Sequence, residues 1–204
     1  MDFFMANLGT EGDLLERKID VCFGHVDVDG DGFFDSADVM AMAARIITFQ
    51  EIPFGSEKAL GLFAGFQEFM QNILAHLDVD GDGRISPEEW RKGIIGVFGE
   101  KPEEFDALFR PLAQAIWRVC DRDDDGTVSA EEFRCFQKAV GSSEKNQQLA
   151  FEKLDINGDG SLSVDEILSA YREYYTSRDP AARGNWLYGD VWDTHVPGAM
   201  KAGL

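Results

Sequence analysis

Four twelve-residue segments, beginning at Asp27, Asp78, Asp121 and Asp155, place acids or amides, a glycine and an apolar residue at the same fixed offsets. They read DVDGDGFFDSAD, DVDGDGRISPEE, DRDDDGTVSAEE and DINGDGSLSVDE, and their starts lie 51, 43 and 34 residues apart. A run of acids is usually a solvated face. On ordinary composition, however, one window matching this pattern arises on the order of once per million positions. Four in one chain make an internal repeat, so any fold of this chain must present four such loops.

The second segment shows what the offsets are for. Asp78, Asp80 and Asp82 occupy positions 1, 3 and 5, Gly83 position 6, Arg84 position 7, Ile85 position 8, Ser86 position 9 and Glu89 position 12. Ca2+ is a hard cation that takes six to eight oxygens at about 2.3 to 2.6 Å, and a loop of this length supplies them by wrapping around the ion. Glycine at position 6 permits the sharp turn that brings the carbonyl of Arg84 inward, leaving its side chain free. Glu89 offers two oxygens. Ser86 serves both as position 9 and as N-cap of the exiting helix, in a capping box with Glu89 and with Pro87 at the first helical position.

The third segment fills the same positions with Asp121, Asp123, Asp125, Thr127, Ser129 and Glu132. The fourth uses Asp155, Asn157, Asp159, Ser161, Ser163 and Glu166, with an amide oxygen at position 3. The first has Asp27, Asp29, Asp31, Phe33 and Asp35 but ends in Asp38. One methylene less makes a bidentate grip harder and lowers coordination toward the six oxygens that Mg2+ prefers. The residues thus predict up to four bound Ca2+ ions, with site one weakest for Ca2+ and most tolerant of Mg2+.

Helical periodicity flanks every loop. Leu15, Ile19, Phe23 and Val26 lead into the first, and Phe66, Phe69, Ile73 and Leu77 into the second. Leu112, Ile116 and Val119 precede the third; Leu149, Ala150, Lys153 and Leu154 precede the fourth. Phe133, Phe136 and Val140, then Ile167, Leu168, Tyr171 and Tyr174, mark the last two exit helices. Position 8 is apolar throughout, as Phe34, Ile85, Val128 and Leu162, which predicts short β contacts pairing loop one with two and three with four. Pro111 lies inside a helical pattern and predicts a bend or restart. The expected fold is all-α, with four helix-loop-helix units in two pairs packed into one compact globule. Residues 1–100 form the first pair and 101–176 the second, with no free linker between, because 90–119 stays apolar. The tail, 177–204, has Pro180, Gly184, Gly189, Pro197 and Gly198, which exclude a long helix. Its Trp186, Leu187, Tyr188 and Trp192 favour docking on the core.

Thirty-eight acids against nineteen Lys and Arg give a formal charge of −19. That excess disfavours nucleic acid and anionic membranes as partners and favours cations. No apolar run approaches the roughly 18 residues of a membrane span, and no signal peptide is recognisable, so a cytoplasmic monomer is expected. Cys22, Cys120 and Cys135 are odd in number, lie within helical patterns and read as buried free thiols. His25 and His76, each two residues before a loop, read as helix-end residues, since hard Ca2+ prefers oxygen. No nucleophile with a base and no phosphate-cradling glycine motif points to an enzyme.

With the four loops quoted, the chain resembles the sarcoplasmic calcium-binding proteins and their bacterial, calerythrin-like relatives of the EF-hand superfamily, over nearly all its length. The wide spacing of the first two loops and the tight spacing of the last two add to the likeness. So do Asp38 and the proline before loop three, both similar to the bacterial members. GNWLYGDVW near the end is similar to the C-terminal segment of coelenterazine-binding proteins. The resemblance implies two EF-hand pairs packed face to face and calcium buffering rather than catalysis. Those families often lose the second loop, whereas here Asp78 to Glu89 keeps every ligand. The resulting expectation is an intracellular Ca2+ buffer or signal modulator with no protein partner indicated. A calmodulin-like sensor would need Met-rich grooves, and the six methionines are not gathered on the exit helices. A Ca2+-regulated carrier of a small apolar ligand would need a lined cavity. Trp90, Trp117, Tyr171, Trp186, Tyr188 and His195 are the candidates for lining it, with core packing the competing role of each.

Overall fold

Helix starts follow from capping chemistry in the structure, a computed structural model that describes residues 13–100 and 102–189. Asp13 caps α1 (Leu14–Val26), accepting from the Leu15 N–H at 3.1 Å. Asp35 caps α2 (Ser36–Phe49), and Ser56 caps α3 (Glu57–Leu77) through the Ala59 N–H. The second loop leads into α4 (Pro87–Glu100), followed by α5 (Pro102–Cys120). Ser129 and Ser163 form capping boxes at α6 (Ala130–Ala139) and α8 (Val164–Thr176), with α7 (Glu144–Leu154) between. Such caps satisfy N–H groups that the first turn of a helix leaves open.

The pairing of loops is as the apolar position 8 predicts. Phe34 and Ile85 exchange both backbone bonds at 2.9 Å. In the second half β1 (Val128–Ser129) pairs antiparallel with β2 (Ser161–Leu162), Val128 opposite Leu162. All four side chains are buried.

One continuous apolar cluster runs from Leu15 to Leu187. On α1 the buried residues Leu15, Ile19, Cys22 and Phe23 follow the i, i+4, i+7, i+8 stripe of an amphipathic helix. α3 lies along α5, where Phe69 meets Phe109 edge-on at 5.2 Å, and Phe109 continues to Tyr175 of α8 at 4.8 Å. α1 meets α8 through Tyr174, whose hydroxyl donates to the Lys18 carbonyl at 2.8 Å. Both halves therefore contribute to the same core.

Of the bend or restart expected at Pro111, the restart does not occur: α5 is continuous through it. Pro111 and Ala107 both lie on the exposed face, so the carbonyl that loses its partner faces water and the helix tolerates the loss. Cys22 and Cys120 are buried, and burial pushes the Cys22 thiol up to about 12. Cys135 departs from the expectation, being only half-buried. It shares α6 with Phe133 and Phe136, which take the core face.

Beyond α8 the chain turns through Arg183–Trp186 and buries Leu187. Gln137 donates to the Leu187 carbonyl at 2.6 Å, and Ser142 to that of Tyr188 at 2.9 Å. Gly184 lies so close to α8 that a Cβ there would sit 2.5 Å from the Ala170 carbonyl oxygen. Three acceptors converge on the buried Lys18 ammonium: the carbonyls of Glu173 and Ser177 and the Asn185 side chain, at 3.1, 2.7 and 2.9 Å. Trp192 and His195 lie outside the described residues. No described helix is long and apolar enough to cross a membrane.

Candidate metal centres

Every loop is folded by the same hydrogen bonds, made by its own acids. The position 1 aspartate accepts from the N–H of the position 6 glycine: Gly32 to Asp27 at 3.1 Å, and Gly83, Gly126 and Gly160 to Asp78, Asp121 and Asp155 at 3.0 Å. Position 3 accepts from the position 5 N–H in turn, as Asp29, Asp80, Asp123 and Asn157 each do. Position 5 accepts from the position 7 N–H, so Asp31, Asp82, Asp125 and Asp159 set the turns at Phe33, Arg84, Thr127 and Ser161. The backbone thus spirals around a point toward which oxygens are drawn.

Position 12 closes the spiral. One oxygen of Glu89, Glu132 and Glu166 accepts from the N–H of position 2, at 2.9, 2.8 and 3.0 Å. The other accepts from both the N–H and the hydroxyl of Ser86, Ser129 and Ser163 at position 9. In loop one Asp38 spans the same two donors, Val28 at 2.7 Å and Asp35 at 2.9 Å. Its shorter side chain is drawn in until the residue is 2% exposed.

Carboxylate oxygens of Asp27, Asp29 and Asp38 lie within 4.8 Å of one another, as do those of Asp78, Asp80 and Glu89, and of Asp121, Asp123 and Glu132. The position 5 acids stand outside these three clusters, held by their position 7 N–H groups. In loop four the amide of Asn157 takes the place of the middle carboxylate. The converging donors are oxygen throughout, which fits a hard divalent cation. Neither His25 nor His76 joins a loop: His25 donates from Nδ1 to the Val140 carbonyl at 2.8 Å, and His76 Nδ1 lies 2.7 Å from the Asn72 carbonyl oxygen.

The position 12 carboxyl shifts in opposite directions in site one and in sites two and four. The Ser86 N–H and hydroxyl hold the Glu89 carboxyl below the usual carboxylate range. Burial pushes Glu166 up, but bonds from Ser163, Ile156 and Asn157 outweigh it and leave the group low. At Asp38 burial wins over the N–H groups of Asp35, Val28 and Asp29, and the carboxyl is raised.

Two contacts at the loops have only weak sequence signals. Arg84 lays its guanidinium over the Phe33 ring at 3.7 Å, joining position 7 of paired loops. Loop three is touched by Gln50 and Lys58 from the connector between α2 and α3 and the first turn of α3. Its one visible oddity in the sequence is Asp124 at position 4, where the other loops have glycine.

A separate apolar cavity of about 50 Å³ lies in the core, bordered by His25, Trp90, Phe109, Tyr171, Tyr175 and Tyr188 among others. Of the candidates for lining a cavity, Trp90, Tyr171 and Tyr188 border this one while also packing in or against the core, and Trp117 and Trp186 are not on its wall. His25 and Tyr175 were not anticipated there; His25 stacks on Tyr188 at 5.7 Å, and burial keeps its imidazole neutral at pH 7.

Comparison with known proteins agrees with this geometry. The EF-hand domain pair matches residues 67–138 and 110–172. Calerythrin of Saccharopolyspora erythraea is 29% identical over 167 residues, covering 81% of this chain and 92% of the relative. The luciferin-binding protein of Renilla reniformis is 30% identical over 177 residues, covering 86% and 93%. A solved structure of a Streptomyces coelicolor calcium-binding protein, described as acting in prokaryotic calcium-mediated regulation, superposes with a TM-score of 0.73 at 31% identity. It covers 79% of this chain and 98% of that one. The homologues are calcium-binding proteins rather than enzymes. The chain belongs to the EF-hand family and is a calcium-binding homologue of calerythrin, the sarcoplasmic calcium-binding proteins and the coelenterazine-binding proteins.

Proposed function

We propose that the protein is a cytoplasmic, monomeric Ca2+ buffer or signal modulator that takes up to four ions, one in each loop. Each ion is held by the side chains at positions 1, 3, 5 and 12, the position 7 carbonyl and position 9. The observation that carries the buffer reading is the shared core. Sensors open on binding Ca2+ to expose a Met-rich groove. Here the exit-helix residues Met42, Ile46, Phe133, Phe136 and Leu168 are already packed in a core common to both halves. Met40 is the exposed methionine among the described residues. The Streptomyces relative supports the modulator role by likeness. Isothermal titration with small-angle scattering and a hydrophobic dye tests this: Ca2+ binds, the radius of gyration stays constant or shrinks, and dye fluorescence does not rise. A steep Ca2+-dependent rise in dye binding would make the protein a sensor.

Site one is the site for Mg2+. Asp38 is short and buried, both of which weaken a two-oxygen grip on a large ion. Substituting Asp38→Glu raises the Ca2+/Mg2+ affinity ratio of that site by about tenfold, the scale of one added ligand-cation bond. An unchanged ratio in competitive titration would contradict the assignment.

A second reading, a carrier of a small apolar ligand, is favoured by one observation. Trp90 Nε1 is buried beside the cavity with no hydrogen-bond partner. Its volume decides the ranking: small-molecule pockets run to about 300–1,000 Å³, against about 50 Å³ here. Stoichiometric quenching of tryptophan fluorescence by coelenterazine would reverse that order.

A further inference from the structure

Loop three is held from outside in a way the other loops are not. Position 4 is Gly30, Gly81 and Gly158 in loops one, two and four, at φ of +74°, +76° and +70°. In loop three it is Asp124, at φ +59°. Glycine enters this left-handed region freely, whereas other residues do so at a cost, though aspartate is among the more tolerant. A partner for Asp124 comes from the other half of the chain. Lys58 Nζ lies 2.7 Å from its carboxylate and 2.5 Å from the Asp121 carbonyl oxygen, with the lysine side chain only 15% exposed.

Position 12 is gripped from the same direction. Gln50, at the end of α2 and 0% exposed, donates from Nε2 to the Glu132 carbonyl at 2.9 Å. The next residue, Glu51, has φ +57° and turns the chain sharply there. Glu51 and Asp124 are the two non-glycine residues with left-handed φ among the described residues, and they flank this one junction. Strained backbone persists where surrounding structure over-determines it, and it gathers at sites that bind or switch. Neither grip uses an oxygen that loop three needs for an ion. The acceptors are two carbonyls, of positions 1 and 12, and the position 4 carboxylate.

We propose that Gln50 and Lys58 are positioning residues for the third calcium site, so that the connector between the first two hands sets the affinity of loop three. This rests on the reading of loop three as a calcium site. Lys58 brings a positive charge toward a cation, which by itself opposes binding, but Asp124 balances it. What remains is order: positions 1, 4 and 12 are fixed before the ion arrives, so less conformational freedom is lost on binding. Coupling of this kind is reciprocal, and an ion in loop three in turn steadies the connector.

The four position 6 glycines give a separate probe of each site, since each amide donates to the position 1 carboxylate of its own loop. Calcium titration followed by 15N NMR therefore reads Gly32, Gly83, Gly126 and Gly160 independently in the full chain. Gln50→Met keeps the stem and loses the donor. It is expected to move the Gly126 midpoint to roughly threefold to tenfold higher Ca2+, the worth of one buried hydrogen bond, with Gly83 unmoved. The charge-balanced pair Lys58→Met with Asp124→Asn does the same, and Lys58→Arg, which preserves the pair, restores the wild-type midpoint. Calcium also slows hydrogen exchange at the Ile52 amide, bonded to the Ile47 carbonyl at 3.0 Å, and Gln50→Met abolishes that slowing. A Gly126 midpoint unchanged in both variants overturns the proposal. So does an equal shift at all four glycines, which reports general loosening. A wild-type Gly126 amide indifferent to Ca2+ overturns the calcium reading of loop three itself, and the proposal with it.

Discussion

Stripping the ions with a chelator lowers the melting temperature of this protein by about 20 °C or more. Twenty of its 38 acids lie in the four loops, and in three loops carboxylate oxygens stand within 4.8 Å of one another. Like charges at that distance repel by about 1 kcal/mol per pair in water, and by several times that where water is excluded. Four dications carry the formal charge from −19 to −11. An ion bound only by the folded chain stabilises it by about 2.7 kcal/mol per site at a hundred times its Kd. Four such sites give roughly 11 kcal/mol. For a chain of this size each kcal/mol is worth about 2–4 °C, which places the shift at about 20–40 °C. Calorimetric melts in millimolar Ca2+ and in excess EDTA measure it. Superimposable melts would remove the metal from the account of stability, and with it the reason for so many paired acids.

The loops were legible because coordination fixes residue type at fixed offsets within twelve residues, and the pairing because position 8 is apolar in each. Core faces were legible through the helical period. Information carried by distant partners was not. Pro111 reads as a helix breaker until Ala107 is seen to share its exposed face. The grip of Gln50 and Lys58 on loop three links residues more than 60 positions apart, and Asp124 in a glycine position was its one local trace. The cavity draws its wall from helices throughout the chain, so periodicity marks its residues as core without revealing the space between them. Lys18 is the sharpest case. It falls in the apolar stripe of Leu15, Ile19 and Cys22, a position that demands burial, yet its three acceptors lie at least 155 residues away.

That buried lysine carries the second large effect. Lys18→Met, which keeps most of the stem and removes the ammonium, destabilises the protein by about 1–3 kcal/mol, the scale of leaving buried acceptors without their donor, because the cost of burying the charge offsets part of what its three bonds supply. Burial pushes the amine down to about 8, with Glu173 opposing, so it is charged at pH 7. The Glu173 and Ser177 carbonyls lie at the C-terminal end of α8, where the helix dipole favours a cation, and the Glu173 carbonyl also accepts from the Ser177 N–H at 2.9 Å. The Asn185 oxygen completes the cradle while its amide donates to Asp179 and Pro180, tying the tail to the same point. Losing the ammonium leaves these partly buried acceptors without a shared donor, so the tail loosens before the core does. Urea unfolding measures the stability loss, and limited trypsin digestion detects faster cleavage at Arg183, which precedes the buried Gly184. Lys92, paired with Glu88 in the open, is the control. Solvent already screens that pair, so Lys92→Met leaves both measurements unchanged. A Lys18→Met variant that behaves like the Lys92 control would show that the cradle is only a packing contact, with α8 and the tail held by their apolar surfaces alone.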